Sequence, residues 1–296
     1  MSNNQTAPLL SSIEGNSQCL DGGAMFGNMP RIMWGQWYPT DEQGRIELGS
    51  RAMLIEVDGK KVLCDTGIGA SFSPKLADRY GVKDRRHKLL LSLADLGVSD
   101  QDIDYIILSD LHFDHVGGLF ATYAEIEAGQ HRLLFPNACY IVSLDALQRA
   151  KKPHPRDKAS FIPGLYEKLE RSHRLIIVES DKIPGLLEGR LSFHYTEGHT
   201  PGLLHTVFHG DEYTIFFASD LIPGIAWIHL PITMGYDRYP EKVIDEKSEV
   251  YQAAIAHKWR IFYTHDPQYA LSEIEYDATG RYQARHPQEK LVRVPF

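Results

Sequence analysis

Apolar stretches of strand length recur along this chain, and several of them end directly in carboxylates or imidazoles. KVLC runs into Asp65, YIILS into DLHFDH (110–115), SFHYT into EGH with His199, TIFFAS into Asp220, and RIFYT into His265. Loops that leave packed sheets at one edge can bring such residues together, because rigid strands position them. AMLIEV (52–57) and KVLCD (61–65) read as paired strands around an Asp58-Gly59 turn. HKLLLSLADLG (87–97) reads as a helix ended by Gly97, and DYIILS (104–109) as a buried strand. ACYIVS (138–143), RLIIVES (174–180), RLSFHYT (190–196), TVFHG (206–210) and YTIFFAS (213–219) read as further strands. KVIDEKSEVYQAAIAHKW (242–259) has the spacing of an amphipathic helix, and RIFYTHD (260–266) closes the series as a strand. Strands with interspersed helices imply a layered α/β fold, its second half partly echoing the first.

The 296 residues suit one domain, 1–296, with a substantial core. With 31 basic and 39 acidic residues the net charge is −8, which argues against nucleic acid as a partner. No apolar run approaches a membrane span, and MSNNQTAPLLSSIEG has no leader pattern. Cys19, Cys64 and Cys139 form no CxxC pair, so buried reduced thiols in a cytoplasmic protein are expected.

The densest chemistry lies in LSDLHFDHVGGL (108–119), where Asp110, His112, Asp114 and His115 crowd together ahead of Gly117-Gly118. Imidazoles and carboxylates are the usual ligands of zinc, iron or manganese. The glycines would let the backbone turn and approach closely.

The order HxDHxGG, GHTPG, SD and a last strand-end histidine resembles the metallo-β-lactamase superfamily over essentially the whole chain. LDGGAMFGNMPRIMW, VLCDTGIG, LHFDHVGG and PITMGYDRYP look like the branch of quorum-quenching N-acyl-homoserine lactonases (YtnP-like) and methyl parathion hydrolase. The resemblance implies an αββα sandwich of two mixed sheets flanked by helices, with a metal pair at one edge. It assigns His112 and His199 to a first metal, Asp114, His115 and His265 to a second, and Asp220 to a bridge between them. Asp65 would orient ligands from behind. Where the family has HxHxDH, this chain has Asp110 in place of the first histidine. Asp110 can replace the imidazole as an oxygen ligand, can weaken the first site or suit it to manganese or iron, or can mark a relic site in a binding protein.

The resemblance further implies two divalent ions, zinc first, bridging a hydroxide that opens a lactone or ester, with Asp114 moving protons and Asp220 holding both ions. Phosphotriester hydrolysis is the alternative chemistry, and a non-catalytic ligand-binding regulator the alternative class. A di-iron redox protein would want a glutamate at His112 and a flavin domain, and the chain has neither. Residues 20–48, rich in Met and Trp among glycines and prolines, suit a lid or a homodimer contact. Related lactonases often carry a tyrosine three residues past the bridging Asp, where Pro223 stands here. Trp227, His229 and Tyr236 are therefore candidates for contact with a small-molecule substrate, while Trp34 and Trp37 of the Met- and Trp-rich segment would either wall the site or simply pack.

Overall fold

Two mixed sheets lie face to face in the computed structural model, which describes residues 7–296. Residues 1–6, where the expectation about a leader partly falls, lie outside the described residues. The first sheet orders its strands Val294–Pro295, Leu9–Glu14, Arg51–Val57, Lys60–Cys64, Tyr105–Ile107, Cys139–Ser143 and Leu175–Val178. The second orders Tyr282–Gln288, Leu271–Tyr276, Trp259–Phe262, Thr214–Phe217, Leu203–His209 and Leu191–Thr196. Among the described residues no helix is long and apolar enough to cross a membrane.

The expected hairpin forms as read. Val57 pairs with Lys60, and Asp58 (φ 50°) and Gly59 (φ 74°) take the left-handed conformations of a tight two-residue turn. Its first strand is apolar on both faces because both faces are covered. Ala52 and Leu54 pack outward with Leu89 and Leu93 of the helix Lys88–Asp95. Met53, Ile55 and Val57 pack inward against Phe208, Phe217 and Phe262 of the opposite sheet. Each such large side chain contributes about 1.5–3 kcal/mol on burial, so the four layers hold the strands rigidly. The helix Pro240–His257 covers the second sheet, laying Val243, Val250, Tyr251 and Ala254 against Phe216 and Ile261. This is the α/β metallo-β-lactamase architecture that the resemblance implied.

Several elements exceed what the pattern suggested. Leu271–Tyr276 and Tyr282–Gln288 form an outer hairpin whose second strand is mostly polar and exposed, so it lacks an apolar signature. Residues 20–48 are tied into the body. Gln18–Asp21 and Arg45–Leu48 pair as a short ribbon around the helices Gly22–Phe26 and Arg31–Trp34. Met25, Phe26, Trp34 and Tyr38 are buried there, whereas Ile32 and Trp37 stay exposed.

Candidate metal centre

The motif of residues 110–115 begins where the strand Tyr105–Ile107 has ended. Asp110 folds back, its Oδ1 accepting from the backbone N of His112 at 2.9 Å. His112 stays extended (φ −70°, ψ 151°), and the helical turn Phe113–Val116 then aims Asp114 and His115 inward. Thr66 N donates to His115 O at 2.8 Å, locking this loop onto the turn after Cys64. The glycines act by close approach, as expected. A Cβ on Gly117 would collide with Ile68 O, and one on Gly118 with Thr66 O.

The seven expected ligands converge in two adjoining groups. Asp110, His112, His199 and Asp220 form one, and Asp114, His115 and His265 the other, each with its candidate ligand atoms within 4.8 Å of one another. All seven side chains are buried. Asp220 spans the groups, with Oδ2 at 3.1 Å from His199 Nε2 and 3.3 Å from His115 Nε2, and Oδ1 at 3.1 Å from His265 Nε2. Asp110 faces the first group, its Oδ2 at 2.8 Å from His112 Nδ1 and 3.8 Å from His199 Nε2.

These residues fit bound cations. The Nε2 atoms of His115 and His265, Asp110 Oδ2 and Asp220 Oδ1 are buried and, among the described residues, make no aligned hydrogen bond despite lying close to other ligand atoms. Buried polar atoms are rarely left so, and here they point at one another. The charges couple accordingly. Burial alone would raise the carboxyl of Asp220, but the imidazoles of His115, His199 and His265 hold it well below the usual range. Burial likewise opposes a charged His115, yet Asp110, Asp220 and Asp65 raise its imidazole well above the ordinary value. A cation would take the place of those protons, since ligating histidines must be neutral.

Behind three of the four imidazoles stands a partner that fixes its orientation. Asp65 Oδ2 accepts from His115 Nδ1 at 2.7 Å, and the same carboxylate accepts from Ser109 N and Oγ, both at 2.8 Å. Asp65 (φ 57°) and Ser219 (φ 45°), just before Asp220, hold left-handed backbone that non-glycine residues seldom adopt. His199 Nδ1 pairs with Asp237 Oδ1 at 2.9 Å, and His265 Nδ1 donates to Gly49 O at 2.8 Å.

Other contributors were not singled out from the sequence. Gln18, fully buried, donates from Nε2 to Asp114 Oδ2 at 2.7 Å. Arg51 donates from Nη1 to the carbonyls of Tyr263, Asp266 and Tyr269, bracing the loop of His265. Glu246 accepts from Glu197 N at 2.8 Å and Gly198 N at 3.0 Å, fixing the approach to His199. Lys247 donates to the carbonyls of His229, Leu230 and Ile232. One signal could have found the last two: both sit on the apolar stripe of their helix, between Val243 and Val250.

The two groups floor a cavity of about 540 Å³, a volume suited to a small molecule. Of the five expected substrate contacts, only Tyr236 lines it. Its phenol is pushed up to about 12 by burial, Asp114 and Asp21, so it stays an O–H donor. The other four expectations are corrected. Trp34 and Trp227 are core residues, both stacked on Phe26 with ring centroids 5.4 and 4.6 Å away. Trp37 and His229 line a separate groove with Met33 and Tyr282. Ring stacking drew the tryptophans inward, because a Trp face in the core buries more apolar area than one on a wall.

A family model described as the metallo-beta-lactamase superfamily matches residues 45–272. No curated protein matches the chain. Among solved structures, a probable metal-dependent hydrolase from Staphylococcus aureus is similar at 25% identity, with 96% of this chain and 99% of that one covered and a TM-score of 0.83. AidC, a dizinc quorum-quenching lactonase in complex with a homoserine product, is similar at 22% identity, 94% of each chain and a TM-score of 0.70. The hydrolase AbOPH is similar at 19% identity, 95% of each chain and a TM-score of 0.73. With the family model spanning most of its length and the histidine and aspartate groups where that fold ends its strands, the chain belongs to the metallo-β-lactamase superfamily.

Proposed function

We propose that this protein is a metal-dependent hydrolase that opens a lactone or a related ester. The observation that carries this reading is the set of unpartnered ligand atoms converging on the floor of a cavity of about 540 Å³. Two divalent cations held there, zinc by the histidine count, would supply a water-derived nucleophile at neutral pH and an electrophilic contact for the carbonyl. Asp110 makes the first group richer in oxygen than an all-imidazole set, so it also accepts manganese or iron.

The chain's own residues divide the remaining work. Asp220 fixes the spacing of the two groups through contacts to three imidazoles. Asp114 has one oxygen held by Gln18. Its other oxygen takes a proton from the attacking water and returns it to the leaving oxygen, a general acid–base role. Tyr236, protonated over the working range, donates a hydrogen bond to the substrate from the cavity wall. A lactone is put ahead of a phosphotriester because AidC, of the same fold, is itself a lactonase.

Turnover of acyl-homoserine and simple lactones, aryl esters and phosphotriesters tests this, with metal content measured before chelation and after zinc or manganese is restored. Lactone opening that vanishes on chelation and returns with metal is expected. Faster phosphotriester turnover would move the assignment to organophosphate hydrolysis. Bound metal with no turnover at all would make the protein a ligand-binding regulator.

A further inference from the structure

The cavity wall carries charge that lactone opening alone does not use. The chain's net charge is −8, yet away from the candidate ligands the lining holds Arg45, Arg79, Arg156 and Arg238 against only Asp21 and Asp157. Both aspartates are engaged. Asp21 Oδ1 accepts from Ala24 N at 2.7 Å, and Asp157 Oδ2 accepts from Arg149 Nε at 2.7 Å. Arg45 is paired with Asp41 at 2.8 Å. Among the described residues no carboxylate forms an ion pair with Arg79, Arg156 or Arg238.

Two of these guanidinium groups are nonetheless held in place. Arg156 Nη2 donates to Gly235 O at 2.7 Å and Asp237 O at 3.0 Å, and among the described residues Nε and Nη1 have no acceptor. Arg238 Nε donates to Tyr239 Oη at 3.1 Å, and its guanidinium lies 5.2 Å from that ring's centroid, leaving both terminal nitrogens free. Its backbone N donates to His199 O at 3.1 Å. Both arginines are thus tied to the 235–239 loop, whose Asp237 orients His199. A guanidinium presents a planar fork of donors that matches a carboxylate, and anchoring it beforehand reduces the ordering left for binding.

We infer that the natural substrate bears, apart from its scissile ester, a non-reacting carboxylate, which Arg156 and Arg238 clamp while the scissile carbonyl sits over the metal ligands. The inference rests on the hydrolase reading and narrows it from neutral lactones to anionic ones. Charge-assisted hydrogen bonds contribute enough for a preference on the order of tenfold or more, and salt reduces it because the cavity mouth is open to solvent.

The test compares γ-butyrolactone bearing a carboxylate with the same lactone bearing a carboxamide, on the metal-loaded protein at low and high salt. Calorimetry with the two ring-opened hydroxy acids supplies a readout that needs no turnover. The wild type should favour the carboxylate form about tenfold, mainly through KM, and bind its opened product more tightly by a similar factor. The Arg156→Gln/Arg238→Gln protein, checked for an unchanged melting temperature, should lose that ratio. Equal handling of the two forms by the wild type, or a ratio that survives the double substitution, overturns the clamp while lactone opening stands. Tighter, arginine-dependent binding of the dicarboxylate without any lactone opening keeps the clamp and overturns the hydrolase reading.

Discussion

The two halves of the molecule position their metal ligands in different ways. In the first half the ligands are clustered. Asp110, His112, Asp114 and His115 lie on one loop, and the turn at Asp65 to Ile68 receives it through Asp65, Thr66 and two close-packed glycines. In the second half each ligand stands alone on its loop and is held from elsewhere in the chain. Asp237 orients His199 from 38 residues away, Glu246 caps the 197–198 turn, and Gly49 reaches across from the first half to His265. A compact motif reads directly from sequence, whereas the partners that orient scattered ligands become visible only when the fold closes.

Asp220 is where the two arrangements meet, and removing it should have the largest effect. Asp220→Ala takes away contacts to His115, His199 and His265 together. Metal should be lost from both groups, and activity should fall by more than the roughly 10–100-fold typical of losing an outer partner. Metal analysis of the purified variant checks this directly. Retention of two ions with near-normal turnover would show that the halves hold their ligands independently.

The same contrast explains what the sequence made legible. The hairpin at Asp58-Gly59, the helix of residues 88–95 and all seven converging ligands could be read from turn chemistry, periodicity and the family pattern. Strand 282–288 could not, because as an exposed edge it has little apolar face to show. Trp34 was misplaced because composition marks an aromatic-rich loop, and Trp227 because closeness to Asp220 in sequence marks a neighbour, without either saying which ring stacks on Phe26. Gln18 escaped notice because an amide on a short strand carries no signal until it touches Asp114.

Paired substitutions at the two aspartates that back histidines sharpen the comparison. Asp65→Ala and Asp237→Ala should each weaken metal binding about 10–100-fold, since each frees one imidazole to rotate. Their effects on folding should differ. Asp65 is fully buried and leaves three donors stranded, two from Ser109 and one from His115, whereas Asp237 leaves His199 and the backbone N of Met234. Each stranded buried donor costs about 1–3 kcal/mol. Asp65→Ala should therefore melt lower, with metal titration giving similar losses for the two. Equal melting temperatures would mean that the distributed half is braced as tightly as the local one.

The smallest effect is expected at Lys247, and its signature is a dependence on pH rather than a loss of activity. The fully buried ammonium donates to three carbonyls of residues 229–232, the stretch leading to the Asp237 loop. Burial pulls its pKa from the ordinary 10.5 down to about 7. Below about pH 7 the lysine is charged in both the folded and the unfolded chain, so the folded protein bears the full penalty of burying charge. Between about 7 and 10.5 the folded chain has released a proton that the unfolded chain still holds. Unfolding then takes up a proton, and stability contributed by this site rises with pH across that window. Lys247→Met removes both the titration and the donors, leaving carbonyls unsatisfied at every pH. The wild type should therefore melt only slightly above the variant at about pH 6, and the gap should widen by about pH 9.5. Other titrating groups are common to both proteins and largely cancel in the difference. A gap that stays constant over this range would show that the amine is not buried as a neutral donor. The distributed half would then draw its rigidity from its other ties, Glu246, Asp237 and Gly49 among them.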